Sequence, residues 1–72
     1  MMMKELSKEW PDSSSVAKTT YYPDLDVEYK KPTSTYRYCE VPAWVWEELK
    51  QASSIGKFLT GKVKGVFHYI KL

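Results

Sequence analysis

Apolar and polar residues alternate without interruption from Leu25 to Lys30. Leu25, Val27 and Tyr29 fall on one side of an extended chain, with Asp26, Glu28 and Lys30 on the other. A period of two with one apolar side predicts a half-buried antiparallel strand. Upstream, Val16 to Tyr22 is rich in β-branched and aromatic residues, which suits a neighbouring strand. Pro23-Asp24 supplies the turn between them, and Lys31-Pro32-Thr33-Ser34 the next one. A third strand then runs from Thr35 to Val41, with Tyr36 and Tyr38 on one face and Arg37 and Cys39 on the other.

At Pro42 the period changes from two to that of a helix. Proline suits the first helical position, where its missing N–H costs nothing. Val45, Leu49 and Ala52 come next at i, i+4 and i+7, a stripe that would face a core. Trp44 and Trp46 flank Val45, each about 100° away around the helix, so spacing leaves open which of them is exposed. Glu47 and Glu48 lie on the outer side, and Glu47 is within pairing reach of Lys50. Ser53-Ser54-Ile55-Gly56 breaks the helix, and either serine can cap the next helical segment. Ile55, Leu59, Val63 and Val66 then recur at helical spacing, although Gly61 weakens that second helix by about 1 kcal/mol relative to alanine. Phe67 to Leu72 reads as an extended segment against the sheet.

The expected fold is therefore α+β. A three-stranded antiparallel β-meander, about 15–22, 25–31 and 35–41, packs under one helix at about 42–53 and a second short helix at about 56–65. Residues 12–72 make up this domain, and residues 1–11 are an N-terminal arm. In that arm Met3, Leu6 and Trp10 would share one stripe if it were helical, and Pro11 would end the helix.

Length and composition narrow the chemistry. A chain of 72 residues makes one small domain, whose core supplies about 3–5 kcal/mol unless staples are added. Cys39 is the only cysteine and His68 the only histidine, so neither an intrachain disulfide nor a Cys/His metal site is expected. No apolar run is long enough for a secretory leader or a membrane span, which points to a soluble, cytoplasmic protein. The net charge is only +2, but all nine carboxylates lie at or before Glu48. Beyond it come Lys50, Lys57, Lys62, Lys64 and Lys71, with His68 among them. A one-sign C-terminal third favours an anionic partner; the plainer account is a helix surface solvated by lysines.

Catalytic patterns are weak. Ser13-Ser14-Ser15 would need a base oriented by a third group, and they serve better as turn and strand-opening residues. Gly56 to Lys62 has the G-x-x-x-x-G-K spacing of a phosphate loop. Val63 stands where serine or threonine must reach Mg²⁺, and a helix rather than a strand precedes it. Asp26 and Glu28 lie on a polar strand face, without the apolar pocket that tunes a catalytic carboxyl. No enzymatic activity and no cofactor are expected.

Several of these segments, in this order, resemble the KTSC domain, named from the C-terminus of some lysyl-tRNA synthetases and found alone in small bacterial and phage proteins. The similarity runs from about Asp12 to Leu72. It is carried by Ser13-Ser14-Ser15-Val16-Ala17, by Leu25-Asp26-Val27-Glu28-Tyr29 and by Tyr36-Arg37-Tyr38, which looks like the family's YxY motif. Val41-Pro42 with Val45-Trp46, and Ala52-x-Ser54-x-Gly56 with Phe58-Leu59, are similar to the family's first helix, helix break and second helix. Two departures are a shorter first hairpin, turned at Pro23-Asp24, and the arm at residues 1–11. The resemblance carries no established activity with it, only a suggestion of RNA binding by analogy with the synthetases.

RNA is accordingly the first expected partner. Single-strand binders combine aromatic platforms with cations that track the backbone, and Tyr36, Arg37, Tyr38, Lys57, Lys62 and Lys64 are the candidate contacts. Packing of Tyr36 and Tyr38 in the core is the competing account, which would leave Arg37 as the better surface contact. The alternative function is that of a small protein-binding regulator docking on a larger host protein. Trp10, Trp44 and Trp46 would be its anchors, aided by the arm and an edge strand. A third reading is a structural accessory domain of a larger assembly.

Overall fold

The computed structural model describes residues 6–72. Five strands and two helices occur in the order β1 (Leu6–Glu9), β2 (Val16–Tyr21), β3 (Leu25–Tyr29), β4 (Ser34–Tyr38), α1 (Ala43–Lys50), α2 (Ile55–Lys62) and β5 (Tyr69–Lys71). The strands form one antiparallel sheet in sequence order, β1-β2-β3-β4-β5. No described helix is long and apolar enough to cross a membrane.

The α+β class and the central meander are as expected, but the sheet has five strands rather than three. Leu6–Glu9 is a strand and not a helical turn, with Leu6 opposite Tyr21 and Glu9 opposite Lys18. A one-turn helix is marginal in water, whereas the open edge of β2 offers these residues partners for their backbone groups. Met3, the first residue of the supposed helical stripe, lies outside the described residues. At the other edge, Phe67–Leu72 contains a true strand. Cys39 N–H donates to the His68 carbonyl and Leu72 N–H to the Thr35 carbonyl, each at 2.8 Å.

One sheet face carries the core. Leu25, Val27 and Tyr38 from the strands meet Val45, Trp46 and Leu49 of α1 and Ile55 and Leu59 of α2, all buried. A register shift between Val16 and Lys18 acts as a β-bulge, and it lets both Val16 and Thr19 turn inward. Trp46 stacks on Tyr21 at 5.7 Å between centroids and 11° between planes. The buried Tyr21 hydroxyl donates to the Val41 carbonyl at 2.6 Å, tying β2 to the chain that leads into α1. On the opposite face Lys18, Thr20, Asp26, Glu28, Thr35 and Arg37 are half-exposed, as the alternation of each strand requires.

The helices are shorter than their apolar periods suggest. Pro42 is the extended residue before α1 rather than its first helical residue. Ser54 caps α2, its hydroxyl accepting the Lys57 N–H at 3.4 Å. Helix α2 ends at Lys62, and Gly65 turns the chain with φ of +78°. Val66, placed by periodicity on the inward stripe, is consequently 62% exposed.

Candidate nucleic-acid interface

Strand β4 decides how the aromatic motif can act. Pairing sets Tyr38 opposite Leu25 and Tyr36 opposite Val27, so both rings point to the helix side. Tyr38 lies beneath that layer and is buried, which removes it as a stacking platform. Tyr36 sits nearer the margin and is half-buried. Its ring meets Tyr29 edge-on at 5.7 Å and Tyr69 at 5.5 Å, and Tyr69 also touches Tyr38 at 5.8 Å. Tyr69, on the edge strand, is 53% exposed.

Cations cover this group of rings. Lys64 Nζ lies 5.4 Å from the Tyr29 ring centre and Lys71 Nζ lies 5.9 Å from that of Tyr36. Such contacts are each worth about 0.5–1 kcal/mol at exposed sites. Among the described residues, neither lysine is ion-paired with a carboxylate. Burial, with Tyr38 and Tyr36 nearby, pushes the Tyr29 hydroxyl above its usual range. That hydroxyl is buried and has no hydrogen-bond partner among the described residues. Tyr69 and Lys71 are missing from the expected site. Their signal was the Tyr-x-Lys alternation of the last segment, which repeats the inward spacing of Tyr36 and Tyr38 from the next strand over.

Arg37 belongs to the other face and is already engaged. Its Nε donates to Asp26 Oδ1 at 2.9 Å and its Nη2 to Asp26 Oδ2 at 3.2 Å. Tyr22 O–H donates to the same Oδ2 at 2.7 Å, and the guanidinium lies over the Tyr22 ring. The hydrogen bonds that Arg37 donates to Asp26, reinforced by the carboxylate's charge, push the Arg37 pKa up. Arg37 and Tyr36 therefore face opposite sides of the sheet, and the guanidinium serves a three-residue network rather than offering a free contact. Lys57 and Lys62 are both exposed on α2. They line a shallow depression of about 340 Å³ beside Phe58 and Gly61. The glycines of the G-x-x-x-x-G-K spacing lie within this helix and form no phosphate loop.

The three tryptophans differ sharply. Trp46 is a core residue, 2% exposed, which rules it out as a docking anchor. Trp10 is half-buried against its own domain: its indole N–H donates to Thr19 Oγ1 at 3.0 Å, and Lys8 Nζ lies 4.8 Å from its ring centre. Of the three, Trp44 is the open one, at 56% exposure. A polar cleft of about 500 Å³ separates the Trp10–Ser15 connection from the Ala52–Gly56 connection. The serines there act as turn residues: Ser13 Oγ accepts the N–H groups of Ser15 and Val16 at 3.2 and 3.0 Å.

No curated protein matches this chain. A KTSC domain protein from Yersinia pestis, known as a crystal structure, has the same architecture. It covers 96% of this chain and 99% of its own, with a TM-score of 0.84 and 26% identity. The KTSC domain family itself matches residues 12–67, from the first serine turn through both helices, leaving β1 and β5 outside the match. With that match over most of its length, the chain belongs to the KTSC domain family.

Proposed function

We propose that this KTSC domain is a non-catalytic binding module for single-stranded RNA, and that the corner formed by Tyr29, Tyr36, Tyr69, Lys64 and Lys71 is its contact surface. The observation that carries this reading is the meeting of edge-packed and tilted rings, with Tyr69 exposed, and lysines that have no acidic partner among the described residues. A base would stack on the open face of Tyr69, while Lys64 and Lys71 hold the flanking phosphates. Lys57 and Lys62 would extend the path along α2. A cytoplasmic location fits both this ligand and a lone free thiol.

Titration of labelled tRNA and a short single-stranded RNA at two salt concentrations tests the proposal. Tyr69→Ala should weaken single-strand binding by about 1–3 kcal/mol. Each lysine lost from the path should lower the salt slope by about 0.7. Absence of binding at low salt would overturn the reading. A second reading, docking on a larger protein, is favoured by one observation, the exposure of Trp44 at the start of α1. In that case Trp44→Ala abolishes capture of the partner and the lysine variants do not.

A further inference from the structure

The outer edge of β5 is open, with no strand paired to it among the described residues. His68 and Leu72 direct their backbone groups to β4, through the bonds to Cys39 and Thr35. Alternation makes Ile70, opposite Arg37, do the same. The N–H and C=O groups of Tyr69 and Lys71 consequently point away from the sheet, unpaired among the described residues. Side chains at this edge are apolar on both faces: Tyr69 is 53%, Ile70 49% and Leu72 59% exposed.

Lysine on an edge strand commonly blocks such pairing. Here Lys71 is drawn over the Tyr36 ring on the helix side and does not extend along the edge.

We propose that two copies of this chain associate through antiparallel β5–β5 pairing centred on Ile70, joining two five-stranded sheets into one. The exposed groups set the register. With the two-fold axis at Ile70, Tyr69 of one copy stands opposite Lys71 of the other, and every outward N–H and C=O of these residues finds a partner. The same register sets ammonium against aromatic ring on the helix face and Ile70 against Ile70 on the open face. Leu72 then lies across from His68 of the second copy. An axis at Lys71 would oppose two ammonium groups directly, which is unfavourable. An axis at Tyr69 would place Lys71 opposite Phe67, outside the strand. Ile70 is thus the centre that pairs all outward groups without a charge conflict. The inference does not rest on the RNA reading and requires no ligand, but it engages Tyr69 and Lys71 of the same aromatic corner, so pairing and RNA would compete for them.

Sedimentation velocity over rising protein concentration should show a monomer–dimer equilibrium for the full chain. Ile70→Lys places two lysines directly opposite each other across the axis, with Cβ atoms about 4.5–5.5 Å apart, and should weaken association by about tenfold or more. Ile70→Glu should do the same, and an equimolar mixture of the two variants should restore a mixed dimer, detected by native mass spectrometry. Hydrogen exchange of the unaltered chain is the check that survives a folding defect in either variant. The Tyr69 and Lys71 amides should become protected as concentration rises, while the Ile70 amide, already bonded to β4, should not change. A chain that stays monomeric with both amides unprotected, or a dimer indifferent to Ile70→Lys, would overturn the proposal, as would a complex only with some other protein.

Discussion

Tyr21, Tyr29 and Tyr38 carry phenol groups into the core, and burial is the main reason each has its pKa pushed above the ordinary value. A raised folded-state pKa means that the neutral phenol is favoured in the native protein. The associated stability is fully present below the unfolded value of about 10 and is lost as the pH rises through the folded values. Tyrosinate absorbance should therefore show a late fraction that appears together with loss of the circular dichroism signal. Complete tyrosine ionisation near pH 10 with the fold intact would contradict this burial. The two tryptophans of α1 make the residue-scale lesson clearest. Their positions flank Val45 symmetrically, so nothing in the spacing separates them. Tyr21, brought from β2 to a stacking distance, selects Trp46 for the core. Trp46→Ala should cost about 3–5 kcal/mol, comparable to the whole stability of such a small domain, whereas Trp44→Ala should stay within about 0.5 kcal/mol. Chemical denaturation monitored by circular dichroism compares the two.

Among the elements, the long alternations and the helical stripes were legible because burial on one face leaves a period in the sequence. The central strands and both helices appear where those periods are. Edge strands leave little trace. β1 contains one apolar residue, and β5 is exposed throughout; both exist because a neighbouring strand offers an open edge. Helix ends were overestimated for a related reason, since Val66 continues an apolar period past the point where Gly65 turns the backbone. The two glycines near this end should respond oppositely to alanine. A Cβ at Gly61 would meet nothing within 4 Å, so Gly61→Ala inside α2 should stabilise by about 0.5–1 kcal/mol. Gly65 has a left-handed backbone, so Gly65→Ala should destabilise by roughly 1 kcal/mol. Thermal or urea unfolding of the two variants shows the contrast, and two shifts of the same sign would refute it.

At the scale of the whole molecule, the sheet divides the candidate contacts between two faces. The kinds of residue were readable, Tyr36 and Tyr38 and the lysines from Lys57 onward, but not the division. Alternation already separated Arg37 from Tyr36; what it could not show was that Asp26 and Tyr22 would occupy the guanidinium. Nor could it show that the last strand would complete the group of rings from the other side of two helices. Lys64, just past the end of α2, lies over Tyr29, and Lys71 reaches Tyr36 because β5 returns to the edge of β4. The charge asymmetry along the chain thus becomes a basic and aromatic corner in space.

That return has a kinetic side. The first strand pairings close through short connections, so the sheet can grow hairpin by hairpin from β1 to β4 at little entropic cost. The β4–β5 pairing instead spans both helices, from Cys39 to His68. It becomes inexpensive only once α1 and α2 have docked and shortened the effective loop. β5 should accordingly be the final strand to join the sheet, completing the aromatic corner in the closing step of folding; pulse-labelling hydrogen exchange should show the Ile70 and Leu72 amides protected after those of β2–β4.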